Sequence, residues 1–143
     1  MKNRREGHHH NSIYWKEYKS KLYKISDVLL EVYVGCMLGD ATLRVKGNKC
    51  SMKFEQGYKN RDYLYHLFEI SRRYVFSEGP GKRLELRGER KGEVKSYYFN
   101  TFTHEIFNKL KDLFIIDGKK GVKEGLVKDN LTARGLAYWV MDL

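Results

Sequence analysis

The stretch Val28-Leu29-Leu30-Glu31-Val32-Tyr33-Val34-Gly35-Cys36-Met37-Leu38-Gly39-Asp40-Ala41 decides how this chain folds. Glu31 is its only charge before Asp40, so a helix over residues 28–40 is apolar nearly all round and must be buried on most faces. Ser26 and Asp27 supply the short oxygen-bearing side chains that cap a helix start. Gly35 and Gly39 are four apart and share one helical face, where a second helix can approach with almost no side chain between. Asp40 then falls at the C-terminal end of the helix. Taken alone, this glycine and aspartate spacing reads as a tight helix crossing followed by a C-cap.

Working outward, two alternating segments at 41–45 and 50–56 flank Gly47-Asn48 and read as a β-hairpin. Residues 60–74 place Tyr63, Leu64, Leu67, Phe68 and Ile70 on one side of a helix, which the Ser77-Glu78-Gly79-Pro80-Gly81 run breaks. A second strand pair spans 83–88 and 94–102, joined by a charged turn at 89–93. Thr103 is placed to cap a helix over 104–114, and after a loop the chain enters a last helix from Leu131. Ahead of the apolar helix, Ile13, Tyr14, Tyr18, Leu22 and Ile25 recur at helical spacing, with Lys16, Lys19, Lys21 and Lys24 between them.

From the apolar helix onward the order is helix, hairpin, helix, hairpin, helix, helix. That order predicts an α+β fold with one antiparallel sheet and helices on one face. Residues 1–12 read as a basic polar arm, in which His8, His9 and His10 are a solvated tail, and 13–143 as a single domain. The other face of the sheet is left open. Arg44, Lys46, Lys53, Lys82, Arg83, Arg87 and Lys95, with several tyrosines, are the candidates to line it and meet nucleic acid. Charges also alternate outward on any half-buried sheet, so the pattern by itself is equally a solvated face.

Composition decides between those readings. The 143 residues carry 28 Lys and Arg against 18 Asp and Glu, a formal charge of +10, and such an excess seeks a polyanion. Two cysteines, Cys36 and Cys50, offer neither a disulfide framework nor metal-ligand spacing. No apolar run approaches the ~18 residues of a membrane span, so no membrane partner is expected.

The segment Val34 to Ala41 resembles the LAGLIDADG signature in the variant that ends Leu-Gly-Asp. The segments KEYKSKL (16–22), GCMLGDA (35–41), FNKLKDLFI (107–115) and LAYWVMD (136–142) extend the likeness over most of the chain. Their order and spacing are similar to the N-terminal half of two-motif homing endonucleases encoded by mitochondrial introns. The resemblance implies an αββαββα half whose signature helix crosses a second one through Gly35, Gly39 and, on the partner helix, Ala137. It implies that Asp40 binds a divalent metal, Mg²⁺, and that Lys120 and Gln56 are catalytic companions. It also places Leu143 where the second metal-binding acid belongs, with Asp142 one residue early and about 100° round the helix.

These implications favour a chain that binds nucleic acid, DNA or structured RNA, without being an autonomous nuclease. Its expected setting is a mitochondrial ribonucleoprotein or ribosome, in contact with ribosomal RNA and proteins. The alternative is the N-terminal subunit of a split, Mg²⁺-dependent endonuclease that cuts double-stranded DNA at a specific site. Either way a second protein chain is expected over the outer side of the last helix.

Overall fold

The structure, a computed structural model, describes residues 12–143, so the N-terminal arm lies outside the described residues apart from its last position. The apolar stretch forms α2 (Asp27–Leu38), with the Ser26 hydroxyl accepting the Leu29 N–H at 3.2 Å as its N-cap. Val32 through Met37 are all buried, as a helix without a polar face requires. Two antiparallel hairpins follow: β1 (Thr42–Lys46) with β2 (Lys49–Gly57), and β3 (Gly81–Leu84) with β4 (Val94–Asn100). They join into one four-stranded sheet of order β1-β2-β4-β3.

Alternation along β2 sets the layers. Cys50, Met52, Phe54 and Gln56 are buried toward the helices, while Ser51, Lys53 and Glu55 are part-exposed on the other face. Phe54 stacks on its cross-strand partner Phe99, ring centroids 4.7 Å apart. The helices α3 (Arg61–Ile70) and α4 (Asn108–Phe114) add Leu64, Leu67, Phe68, Leu110 and Phe114 to this core. The last helix, α6 (Ala133–Met141), lies along α2, capped by Thr132, whose hydroxyl accepts the Gly135 N–H at 3.1 Å. The fold is therefore the α+β half expected, with the helices packed on one face of an antiparallel sheet.

Several boundaries differ from the expectation. The first helix, α1 (Ile13–Ser20), stops before residue 25, because Ile25 reaches the core from an extended segment that Ser26 needs in order to cap α2. The helix expected over 60–74 tightens after Ile70 into a 3₁₀ turn, Arg72–Tyr74. At that step Ser71 is buried and its hydroxyl accepts the Tyr33 O–H at 2.7 Å. β3 begins at Gly81 and is irregular at Arg83/Leu84, so the strand expected at 83–88 is short. His104, not Thr103, caps the turn into α4, its Nδ1 accepting the Ile106 N–H at 3.0 Å. The loop expected after α4 holds a small hairpin, β5 (Ile115–Ile116) with β6 (Lys119–Lys120), and a short helix, α5 (Leu126–Asn130). Asp117 and Gly118, both at positive φ, make that hairpin's turn.

Candidate nucleic-acid interface and the helix ends above it

The two long helices meet main chain to main chain. A Cβ placed on Gly35 would overlap the carbonyl oxygen of Gly135, and one placed on Gly39 would overlap the carboxylate of Asp142. At Gly35 only glycine allows this main-chain approach, whereas at Gly39 a methyl group would displace the Asp142 side chain. Beside the crossing, Arg134 of α6 forms an ion pair with Glu31 of α2. Ala137, expected at the crossing, is exposed and lines a surface cavity with Tyr63, His66 and Tyr138. Gly135 occupies the place assigned to it, since the rotation of α6 about its axis is set by Gly135 and Asp142 facing α2.

The ends of both helices converge on one polar network. Asp40, just beyond α2, is exposed, and among the described residues no hydrogen bond or ion pair engages its carboxylate. Asp142 caps the end of α6 and turns inward. Its Oδ2 accepts the Asp40 backbone N–H at 3.1 Å and its Oδ1 accepts from Gln56 Nε2 at 2.8 Å. Asn60 Nδ2 donates to Gln56 Oε1 at 3.0 Å and to the Met141 carbonyl at 3.3 Å, which closes the network. Burial pushes the Asp142 carboxyl above its ordinary pKa, and the nearby Asp40 charge adds to this against the donated hydrogen bonds. Gln56 lies on the helix side of β2, so it holds Asp142 rather than standing on the open face.

Lys120 reaches the same corner from β6. Its Nζ donates to the carbonyls of Gly39 (3.0 Å) and Ala41 (2.6 Å), the residues on either side of Asp40. Desolvation there lowers its pKa, although Asp40 and Asp142 both pull it upward. The neighbouring Lys119 makes no such contact among the described residues, which separates two lysines that the sequence left equivalent. Among the described residues no group of three or more His, Cys, Asp or Glu side chains comes together. Mg²⁺ commonly takes one or two carboxylates and completes its shell with water and substrate phosphates. Asp40 fits one such ligand, whereas both Asp142 oxygens are already engaged.

The open face of the sheet is defined by the register. Thr42 pairs with Lys53, Arg44 with Ser51 and Lys46 with Lys49; Lys53 pairs in turn with Asn100, and Ser96 with Arg83. Arg44, Lys46, Lys53 and Arg83 thus share one face. At its centre stands Glu55, which the sequence reading missed although the same alternation places it beside Lys53. Glu55 accepts the Ser96 O–H at 2.6 Å, pairs with Arg83 at 2.9 Å and lies 3.5 Å from Lys53 Nζ. Partial burial works against the Glu55 charge, but these partners outweigh it and hold the carboxyl below its usual range. The Arg83 guanidinium also lies over the Tyr98 ring, 4.6 Å from its centroid. Alternation puts Lys82 and Lys95 opposite Arg83 across the edge strands. Even so, both line a cavity of about 470 Å³ with Arg83, Arg87 and Tyr98 at the end of the hairpin.

Comparison with known proteins supplies the context for this geometry. A model of the LAGLIDADG DNA endonuclease family matches residues 30–143. A probable intron-encoded endonuclease 1 of Wickerhamomyces canadensis is 34% identical over 134 residues, covering 92% of this chain and 56% of that protein. The cytochrome b mRNA maturase bI2 of Saccharomyces cerevisiae is 30% identical over 137 residues, covering 89% of this chain and 32% of the maturase. The solved structure of the homing endonuclease I-WcaI bound to its DNA recognition sequence superimposes with a TM-score of 0.84 at 29% identity. That match covers 99% of this chain and 63% of the other. The chain therefore spans from a third to a little over half of the length of these curated relatives.

Proposed function

Because the chain belongs to the LAGLIDADG DNA endonuclease family, we propose that it grips duplex nucleic acid through the open sheet face and carries one of the two acids that double-strand cleavage calls for. The observation that carries this reading is the basic row Arg44, Lys46, Lys53 and Arg83 on a face that no helix among the described residues covers. A two-stranded ribbon fits the major groove of B-form DNA, where arginine and lysine meet phosphates and guanine edges. Glu55 holds Arg83 and Lys53 in place, and Tyr98 supports the Arg83 guanidinium from below. The likeness to I-WcaI, which is bound to DNA, supports DNA as the ligand.

At the helix ends, Asp40 would hold a divalent cation against a backbone phosphate, and such an ion supplies Lewis-acid polarisation of a phosphate oxygen. Lys120 acts through the main chain: by bridging Gly39 and Ala41 it fixes the corner from which Asp40 projects. Its role is positioning. The inward Asp142 and the apolar Leu143 leave one open carboxylate where cleavage of two strands calls for two. A second half of the fold would supply the other, packing where Leu136, Val140, Met141 and Leu143 of the α6 region stand exposed.

The second reading is an RNA-binding component of a mitochondrial ribonucleoprotein, and the likeness to a cytochrome b mRNA maturase favours it. Intron-encoded relatives support an organellar setting for either reading. Competition decides between the ligands. A labelled random-sequence DNA duplex is bound by the protein and then challenged with unlabelled duplex DNA or with a structured intron RNA. Stronger competition by the DNA supports the first reading, and stronger competition by the RNA overturns it in favour of the second.

A further inference from the structure

Beyond the end of the sheet, where β2 begins, three lysines from distant parts of the chain face one notch. Lys16 and Lys19 project from α1, three residues apart and so on one helix face, and Lys49 opens β2. All three line a cavity of about 310 Å³, whose other wall includes Thr103, His104 and Glu105. A short covalent and hydrogen-bonded path fixes their spacing. The His104 ring Nδ1 accepts the Ile106 N–H, which leaves Nε2 to donate to the Lys19 carbonyl at 2.8 Å. The His104 backbone N–H donates to the Cys50 carbonyl at 3.0 Å, one residue from Lys49. The end of α1 is thereby tied to the start of β2.

Among the described residues the charges in this notch lack partners of opposite sign. The other lysines of the α1 region do pair, Lys21 with Glu17 and Lys24 with Asp27. Among the described residues no ion pair engages Lys16, Lys19 or Lys49. The Lys19 ammonium sits instead over the rings of Phe76 (5.5 Å) and Phe102 (5.9 Å), which orient it without neutralising it. Burial, then the charges of Lys49 and Lys16, lower its pKa, and a bound anion would reverse that effect. Glu105 is the one acid on the lining, against three cations.

Two features identify the anion. Lys49 is the cross-strand partner of Lys46, so the notch continues the basic row of the open sheet face without a break. The ammonium groups are also point charges, suited to a passing phosphate rather than to a planar group. We propose that Lys16, Lys19 and Lys49 form a phosphate notch that takes the sugar–phosphate backbone of a nucleic acid as it leaves the end of the sheet. This rests on the sheet face being the nucleic-acid surface.

The test is the salt dependence of binding to a fluorescent random-sequence DNA duplex, read by anisotropy. Each phosphate contact contributes about 0.9 to the slope of log affinity against log salt. The K16Q/K19Q/K49Q variant is expected to lose about two to three units of slope. Because Lys19 also touches Phe76 and Phe102, K16Q/K49Q serves as a second variant that leaves that packing intact, with an expected loss of about two units. An R44A/R83A variant tests the sheet separately. If it loses slope while both notch variants keep theirs, the notch proposal falls and the sheet reading stands. If only the notch variants lose slope, the sheet reading falls, and with it the proposal that the notch extends that surface. If none does, both fall. Inorganic phosphate, followed through the amide resonances of Lys19 and Lys49, distinguishes the other source of the same chemistry. Saturable binding of free phosphate with an unchanged duplex slope would make this a small-anion site and overturn the proposal.

Discussion

The Asp142 carboxylate, at the end of one long helix, accepts the backbone N–H of Asp40 at the end of the other, at 3.1 Å. Two acids thus meet without sharing a role. One is spent on holding the helix ends together, and the other is left open toward solvent. The consequences of this division can be measured.

Asp142→Ala removes the acceptor for both the Asp40 N–H and the Gln56 amide, leaving two donors unpaired in a part-buried corner. An unsatisfied group of this kind costs about 1–3 kcal/mol. Asp142→Asn keeps one oxygen acceptor and so leaves one of the two donors satisfied. Urea unfolding should therefore rank Asp142→Asn below wild type and above Asp142→Ala. Equal stability of the two variants would show that the network contributes nothing.

The pH dependence has a defined sign. The folded pKa of Asp142 is raised, so between its ordinary value and the raised one the folded state binds more protons than the unfolded state. Its contribution to stability is fully present below the unfolded pKa and is lost as pH rises through the folded pKa. Glu55, with a lowered pKa, runs the other way: its contribution is present above the unfolded pKa and is lost as pH falls through the folded one. The unfolding midpoint of wild type minus that of Asp142→Asn should accordingly fall as the solution is taken from acid toward neutral pH. The corresponding difference for Glu55→Gln should rise over the same interval.

Gly35→Ala sets two effects against each other. Alanine gains about 1 kcal/mol of helix propensity over glycine. The new methyl group, however, meets the Gly135 carbonyl, and overpacking of this kind costs about 1–3 kcal/mol, occasionally more. The clash is with backbone, which cannot swing aside, so it should win. A stabilised Gly35→Ala protein would mean that the helices are further apart than described.

Asp40→Asn should abolish Mn²⁺ binding at the helix ends, observed by paramagnetic broadening of the resonances of residues 39–42. Lys120→Met should weaken that binding to a smaller extent, because it frees the carbonyls of Gly39 and Ala41 while leaving the ligand itself in place. Broadening that persists undiminished in Asp40→Asn would locate the ion elsewhere.

The purified chain with Mg²⁺ should not make double-strand breaks, since one open carboxylate serves one scissile bond. Cleavage that appears in a selection from random duplexes and vanishes in Asp40→Asn would refute this. Nicking of a single strand is compatible with it.

Much of this architecture can be read from residue pattern, and the reasons it fails elsewhere are physical. The apolar helix, the first hairpin and the glycine pair are each specified by local periodicity, so α2, β1, β2 and β4 were accessible from sequence, while β3 was expected at 83–88 and lies at Gly81–Leu84. Ala137 was misplaced because which small residue meets Gly35 depends on the rotation of α6, and that is fixed by Gly135 and Asp142 acting together. Glu55 stood within reach of the alternation argument but was hidden by attention to positive charge alone. The inward turn of Asp142 and the anchoring of Lys120 depend on contacts 102 and 81 residues apart in sequence, which no local signal encodes.

The contact between Gly35 and Gly135 also sets a length. Where helices touch through side chains, their separation drifts as those side chains change, because each substitution finds a new rotamer and a new gap. Here the gap is the thickness of two peptide backbones, which substitutions elsewhere on the helices do not change. The crossing works as a fixed gauge block. Residues on the sheet can vary while the interval between the helix ends stays constant. Under the proposed reading, a lineage of such proteins changes its target many times over without retuning the spacing at which those ends meet a duplex.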